Sequence, residues 1–124
     1  MLIKLGVKKV FLNTFHLSKQ IFEFIKKKNF SIDIQIIRDG EMILDTGGGI
    51  LNMINNSQEN DFLVLNPDTL WNEEYVNEVN KMQSFYFLKK ISCILLMANK
   101  AISFDKNLKG DFSIKANLLK KDDN

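Results

Sequence analysis

Three consecutive glycines, Gly47, Gly48 and Gly49, follow Asp45-Thr46 and lead into Ile50, Leu51, Met53 and Ile54. That apolar spacing predicts a short helix opening directly out of a glycine loop. Without side chains, the loop lets a ligand press against backbone, and N–H groups at a helix entrance point outward at the positive end of the helix dipole. A nucleobase or a phosphate is the kind of group such a surface receives. Glycine clusters also make ordinary turns, and the residues by themselves leave both readings open. The run does not have the G-x-G-x-x-G spacing of dinucleotide folds, and no Gly-Lys-Ser or Gly-Lys-Thr follows, so a Rossmann dehydrogenase is disfavoured.

A second chemical position is Asp68, in Asn66-Pro67-Asp68 directly after the apolar run Phe62-Leu63-Val64-Leu65. Open α/β sheets bind ligands just beyond the carboxyl ends of their strands. A carboxylate there suits Mg²⁺, which takes one or two protein carboxylates and completes its octahedron with water and substrate phosphates. The alternative is an Asp in an ordinary turn after proline. Pro67 holds Asn66 extended, consistent with a strand that runs up to the site. His16, the one histidine, is read as a hydrogen-bonding loop residue, and Trp71 as a core aromatic that packs the next helix against the sheet.

These positions need elements to hold them. Val10, Phe11 and Leu12 read as a buried strand ending in the polar stretch 13–16, and Leu17, Ile21, Phe24 and Ile25 recur at helical spacing, which predicts a helix over 17–28. Lys26, Lys27 and Lys28 then fall at its end, where cations suit the dipole. Ile32, Ile34 and Ile36 alternate with polar residues as in a strand, and Asp39-Gly40 marks a turn. Residues 62–65 read as a central strand covered on both faces. A helix over about 72–85 follows behind Glu73 and Glu74, then a buried strand over 91–97 containing Cys93, and an alternating strand over 111–117 before a polar tail over 120–124. Leu2, Ile3 and Leu5 before Gly6 read as the last turn of a helix with its glycine cap. The alternation of strands and helices predicts one α/β domain with a layered, mostly parallel sheet.

Composition excludes several classes. The 124 residues are 45% apolar, enough for one core, and 17 basic against 15 acidic residues leave a formal charge of +2, which argues against a nucleic-acid partner. The lone Cys93 offers no disulfide or cysteine metal site within the chain and reads as a small core residue. Apolar stretches fall short of the roughly 20 residues of a membrane span, and residues 1–4 do not open a signal peptide, so the cytoplasm is expected.

Taken in order, Gly6-Val7 with residues 13–17, Asp45-Thr46-Gly47-Gly48-Gly49-Ile50, the run from Phe62 through Asn66-Pro67-Asp68-Thr69-Leu70 to Trp71, and Gly110-Asp111-Phe112 form a specific series. Over most of its length the chain resembles the sugar-1-phosphate nucleotidyltransferases, especially the small enzymes that act as N-acetylmuramate-1-phosphate uridylyltransferases or mannose-1-phosphate guanylyltransferases. The resemblance implies a partial Rossmann-like three-layer nucleotidyltransferase fold, that of the nucleotide-diphospho-sugar transferases, over residues 1–124. It makes Asp68 a ligand of the catalytic Mg²⁺, lays Thr46, Gly47 and Gly48 along the nucleobase or ribose, and turns Gly110 and Asp111 toward the sugar. It also implies the reaction: an oxygen of a sugar 1-phosphate attacks the α-phosphate of UTP or GTP, and pyrophosphate leaves, a step in making cell-envelope precursors.

The departures shape the expectation. The family's G-x-G-x-R-x-x-P type loop, which cradles the triphosphate, would precede residue 1, and its second metal carboxylate would lie beyond Asn124. Pro67 stands where many relatives have glycine. Loss of one preorganised donor costs on the order of 3 kcal/mol, so the isolated chain is expected to show little or no turnover. A missing first strand would also leave a sheet edge unpaired. The readings are an enzyme completed by a separately encoded N-terminal fragment, a non-catalytic remnant or nucleotide-binding module, and, ranked last because it needs the four motifs to match by accident, an unrelated small α/β signalling or interaction domain.

Overall fold

The computed structural model describes residues 1–103, 105, 107, 109–110, 112–115 and 118–121. The chain divides into two compact units, Met1–Lys81 and Met82–Asn124.

The first unit opens with a 3₁₀ turn, Leu2–Leu5, that stops at Gly6 in the left-handed region (φ 75°), the glycine cap expected there. Strand β1 (Lys9–Thr14) runs through helix α1 (Ser18–Lys28) to strand β2 (Asp33–Arg38). The two strands pair in parallel, with Val10 opposite Ile34, Leu12 opposite Ile36 and Thr14 opposite Arg38. This is the β-α-β unit that the alternation of apolar runs requires. Lys26, Lys27 and Lys28 close α1 in its last turn, and Asn29 follows in the left-handed region (φ 47°). Helix α2 (Asp45–Asn55) comes after the Asp39-Gly40 turn, in which Gly40 takes φ 89°. Strand pleating puts Ile34, Ile36 and Arg38 on the face that, with Ser18, Phe22, Ile25 and Lys26 of α1, lines an open cleft of about 470 Å³. The opposite face, bearing Asn13, receives α2. The parallel pair therefore has a helix on each side, as a layered α/β arrangement demands.

Helix α3 (Tyr75–Lys89) starts three residues later and ends four residues later than the periodicity predicts, and its Val79 is only 3% exposed. Trp71 touches the helix that follows it, the coarser part of what is expected of it. Its ring meets Tyr75 at the start of α3 edge-on at 5.1 Å, and its indole N–H donates to the Asn66 carbonyl at 3.1 Å.

In the second unit, strands β3 (Phe112–Lys115) and β4 (Leu118–Lys121) pair antiparallel, with Ile114 opposite Leu119. β3 falls inside the expected strand over 111–117, whereas β4 replaces the start of the expected polar tail. A 3₁₀ turn at Lys100–Ile102 is capped by the Asn99 side chain, which accepts from the Ala101 N–H at 2.9 Å.

The architecture among the described residues is thus mixed α/β, with three α-helices, a two-stranded parallel sheet and a separate antiparallel pair. Two expected strands are absent. Residues 62–65 and 91–97 belong to no strand, and Phe62, Leu63 and Val64 are 38%, 39% and 48% exposed. Cys93, expected in a core, is exposed. Both runs have the apolar composition of covered strands. A strand also needs a neighbour whose N–H and C=O groups are free, and neither run is paired to β1 or β2. The core is correspondingly small: Ile37, Val79, Thr14 and Gly49 are the buried positions among the described residues. No helix among them is long and apolar enough to cross a membrane.

Candidate functional site

The glycines expected to form a loop before a helix lie inside α2 itself, in its first two turns. Each has a different structural setting. A Cβ on Gly49 would stand 2.7 Å from Nδ2 of Asn13, so glycine is what lets α2 approach β1 so closely. A Cβ on Gly48 would meet Cβ of Leu44 at 2.9 Å, a contact with the helix's own lead-in. A Cβ on Gly47 would meet nothing within 4 Å. None of the three has the left-handed φ that would itself demand glycine. Gly47 therefore satisfies neither a packing nor a backbone requirement of the fold, yet glycine there weakens the helix by up to about 1 kcal/mol relative to alanine.

The start of α2 is open in a second respect. Leu44 at the N-cap supplies no side-chain acceptor. The first-turn N–H groups of Asp45, Thr46 and Gly47 have no intrahelical carbonyl to reach, because such partners begin only a full turn in. Thr46 and Gly47 are exposed and Gly48 half-buried. Asp45 sits in the left-handed region (φ 53°), which Asp tolerates better than most residues, and places a carboxylate in the first turn.

Behind this turn lies a polar network that sequence reasoning does not single out. The Asp39 carboxylate, just past the carboxyl end of β2, accepts from Nδ2 of Asn13 on β1 at 3.0 Å and from Nδ2 of Asn52 on α2 at 3.2 Å. Asn52 also donates to the Arg38 carbonyl at 3.1 Å, and the Asp39 backbone N–H donates to the Thr14 carbonyl at 3.0 Å. Asn52 and Gly49 are three residues apart, hence on one face of α2. One carboxylate thereby joins both strand ends to the helix that carries the glycines. The available signal is positional: Asn13 and Asp39 each follow an apolar strand run at its carboxyl end. Next to Asn13 in sequence, Thr14 is 4% exposed, and its buried Oγ1 has no hydrogen-bond partner. It stands opposite Arg38, on the sheet face away from Asn13.

Asp68 lies in a turn closed by the Thr69 N–H donating to the Asn66 carbonyl at 3.4 Å. The residue is exposed, and among the described residues its carboxylate has no ion pair or hydrogen bond, including to α2. No group of three or more His, Cys, Asp or Glu able to hold a metal occurs among the described residues. A single free carboxylate fits a magnesium ion that arrives with phosphates and keeps most of its waters, and does not fit an ion caged by protein alone. Gly110 takes φ 84°, a backbone conformation that favours glycine. Asp111, expected beside it, lies outside the described residues. Thr46, Gly47 and Gly48 are thus brought together on one helical turn, while Gly110 belongs to the second unit.

No protein-family model, no curated protein and no solved structure matches the chain.

Proposed function

We propose that the chain belongs to the sugar-1-phosphate nucleotidyltransferases, with the first turn of α2 as its nucleotide surface. The observation that carries this reading is Gly47: a glycine that the fold does not require, on an exposed and uncapped helix start, is what close approach of a ligand to backbone requires. The Asp45 carboxylate already meets the helix dipole there. A base or ribose edge, able to donate to a carboxylate and accept from N–H groups, suits the turn better than a phosphate. Thr46, Gly47 and Gly48 then lie along the base or ribose of UTP or GTP.

In the reaction, an oxygen of the sugar 1-phosphate forms a bond to the α-phosphorus of the triphosphate. The bond to the bridging oxygen breaks, and pyrophosphate leaves with that electron pair. Magnesium, when bound, neutralises phosphate charge, and Asp68 is the side chain that would hold it. Gly110 and Asp111 are proposed to face the sugar. The chain's strands and helices are proposed to form part of a Rossmann-like three-layer nucleotidyltransferase sheet. The free edge of β1 and the unpaired apolar run 62–65 are where a separate fragment bearing the triphosphate loop would add a strand. A cytoplasmic setting accords with nucleoside triphosphate substrates.

A second reading, a nucleotide-binding module without catalysis, is favoured by one observation. Residues 62–65, which would brace Asp68, are outside any sheet. Magnesium-dependent pyrophosphate release with UTP or GTP and with N-acetylmuramate, mannose or glucose 1-phosphate separates the two, with Asp68→Ala as control. Turnover that Asp68→Ala abolishes establishes an enzyme, and nucleotide binding without turnover supports the module. Absence of binding to either triphosphate refutes both.

A further inference from the structure

We infer that Asp39 is a positioning residue for the nucleotide surface of α2, an inference that rests on the reading of that turn given above. Among the described residues, the Asp39 carboxylate is the acceptor shared by Asn13 of β1 and Asn52 of α2. Its two oxygens are divided between them, Oδ2 to Asn13 and Oδ1 to Asn52. A carboxylate is acceptor-only, so it suits two facing amide donors, and hydrogen bonds to an ionised group are stronger than neutral ones.

Gly49 has no side chain to interdigitate with the sheet, and what touches it is Asn13, with Asp39 Oδ2 at 3.9 Å from the Cβ position. Asn52 lies one turn further along the same face and also reaches the Arg38 carbonyl. Polar bonds of fixed direction therefore help set the rotation and height of α2 over the strand ends, beside the half-buried Ile50, Met53 and Ile54. Gly47 lies two residues before Gly49, so any slide or roll of α2 moves the open turn with it. Close approach to backbone tolerates little displacement, since an error of about 1 Å is enough to open or block the contact.

An amide in place of the carboxylate isolates this role. Asp39→Asn keeps the volume but can accept at only one atom, so one of the two facing amides loses its partner. Combining it with Asn13→Asp restores both bonds with one polarity reversed. The carboxylate introduced on β1 then accepts from the NH₂ of the amide introduced after β2, and the carbonyl of that amide still accepts from Asn52.

The test uses the full chain under conditions where circular dichroism shows every variant folded, with UTP and GTP titrated against backbone amide NMR shifts of residues 46–48. Asp39→Asn is expected to weaken nucleotide affinity about tenfold, the worth of one hydrogen bond to a charged group. The free-state amide shifts of Gly47 and Gly48 should move with it. Asn13→Asp/Asp39→Asn is expected to restore both readouts, which a general loss of stability would not do. If Asp39→Asn fails to fold, Asn13→Ser, which removes the bond from β1 together with the amide that packs on Gly49, takes its place with the same expectation. Unchanged affinity and unchanged Gly47 shifts in a folded variant overturn the inference and leave the reading of α2 standing. A wild-type chain that shows no nucleotide-induced shifts overturns that reading, and the inference with it.

Discussion

Replacing Gly47 by alanine should move stability and nucleotide affinity in opposite directions. The added Cβ has nothing within 4 Å, and the residue's φ is not left-handed, so the folded state gains no clash and no strain. Alanine loses less backbone freedom on folding than glycine, which is worth about 0.4–1 kcal/mol where the native conformation suits both. Position in the first turn favours the lower half of that range. For a cooperative unit the size of Met1–Lys81, such a gain raises Tm by about 3 °C. The same methyl group stands where a base or ribose is proposed to lie on backbone, and displacing that contact should weaken UTP or GTP binding about tenfold or more. Gly49→Ala is the contrasting variant. Its Cβ would stand 2.7 Å from Nδ2 of Asn13, so α2 or the asparagine must shift, at a cost of about 1–3 kcal/mol. Differential scanning calorimetry and isothermal titration on the three chains decide the matter. A Gly47→Ala chain that is more stable and binds nucleotide as well as the wild type would refute the assignment of this turn to a ligand. A destabilised Gly47→Ala would show that the space above residue 47 is not open.

Two further outcomes test features outside that turn. Leu17 precedes α1 with φ 53° while its side chain is half exposed, so a bulky residue occupies the left-handed region with little burial in return. Leu17→Asn is expected to stabilise the chain by about 0.5–1 kcal/mol in urea unfolding, and an equal gain from Leu17→Ala would refute the strain argument. The Glu73 carboxyl is held below its ordinary value of 4.5, first by the hydrogen bond from Lys4 and then by that ammonium's charge, across a contact of 2.6 Å. A carboxyl more acidic in the folded than in the unfolded chain contributes stability above its unfolded pKa, and that contribution disappears as pH falls through the lowered folded value. Both side chains are largely exposed, so the effect is small and screened by salt. Lys4→Ala should return the Glu73 titration, followed by carboxyl carbon NMR, toward 4.5. The stability difference between the two chains should vanish below the lowered value, and a difference that persists there would exclude the ion pair as its source.

The parts of the structure legible in the sequence are those fixed by near neighbours. The helical spacing of Ile21 and Ile25, the alternation of Ile34 and Ile36, the cap at Gly6 and the turn at Gly40 all appear where local chemistry places them. Residues 62–65 and 91–97 do not form the expected strands because an apolar run states a demand for burial, and only a partner edge turns that demand into a ladder. Cys93 is exposed for the same reason, since its expected core position depends on a strand that does not form. The glycine run is visible in the sequence, but nothing there distinguishes its three members. Only the packing of Asn13 against Gly49, two residues far apart in sequence, separates the glycine that the fold needs from the one it does not.

That separation changes what the site's visible half means. A glycine cluster alone supports a turn and a ligand surface equally. Once Gly49 is accounted for by Asn13, and Gly48 by Leu44, the structural explanation is used up before it reaches Gly47. The network that accounts for Gly49 is built from Asn13, Asp39 and Asn52, residues common in any loop or helix end, whose meaning comes from three elements converging at the carboxyl ends of two parallel strands. Sequence spacing marks such places only one strand end at a time. Their joint function follows from topology, because a parallel β-α-β connection necessarily returns both carboxyl ends to the same side of the sheet.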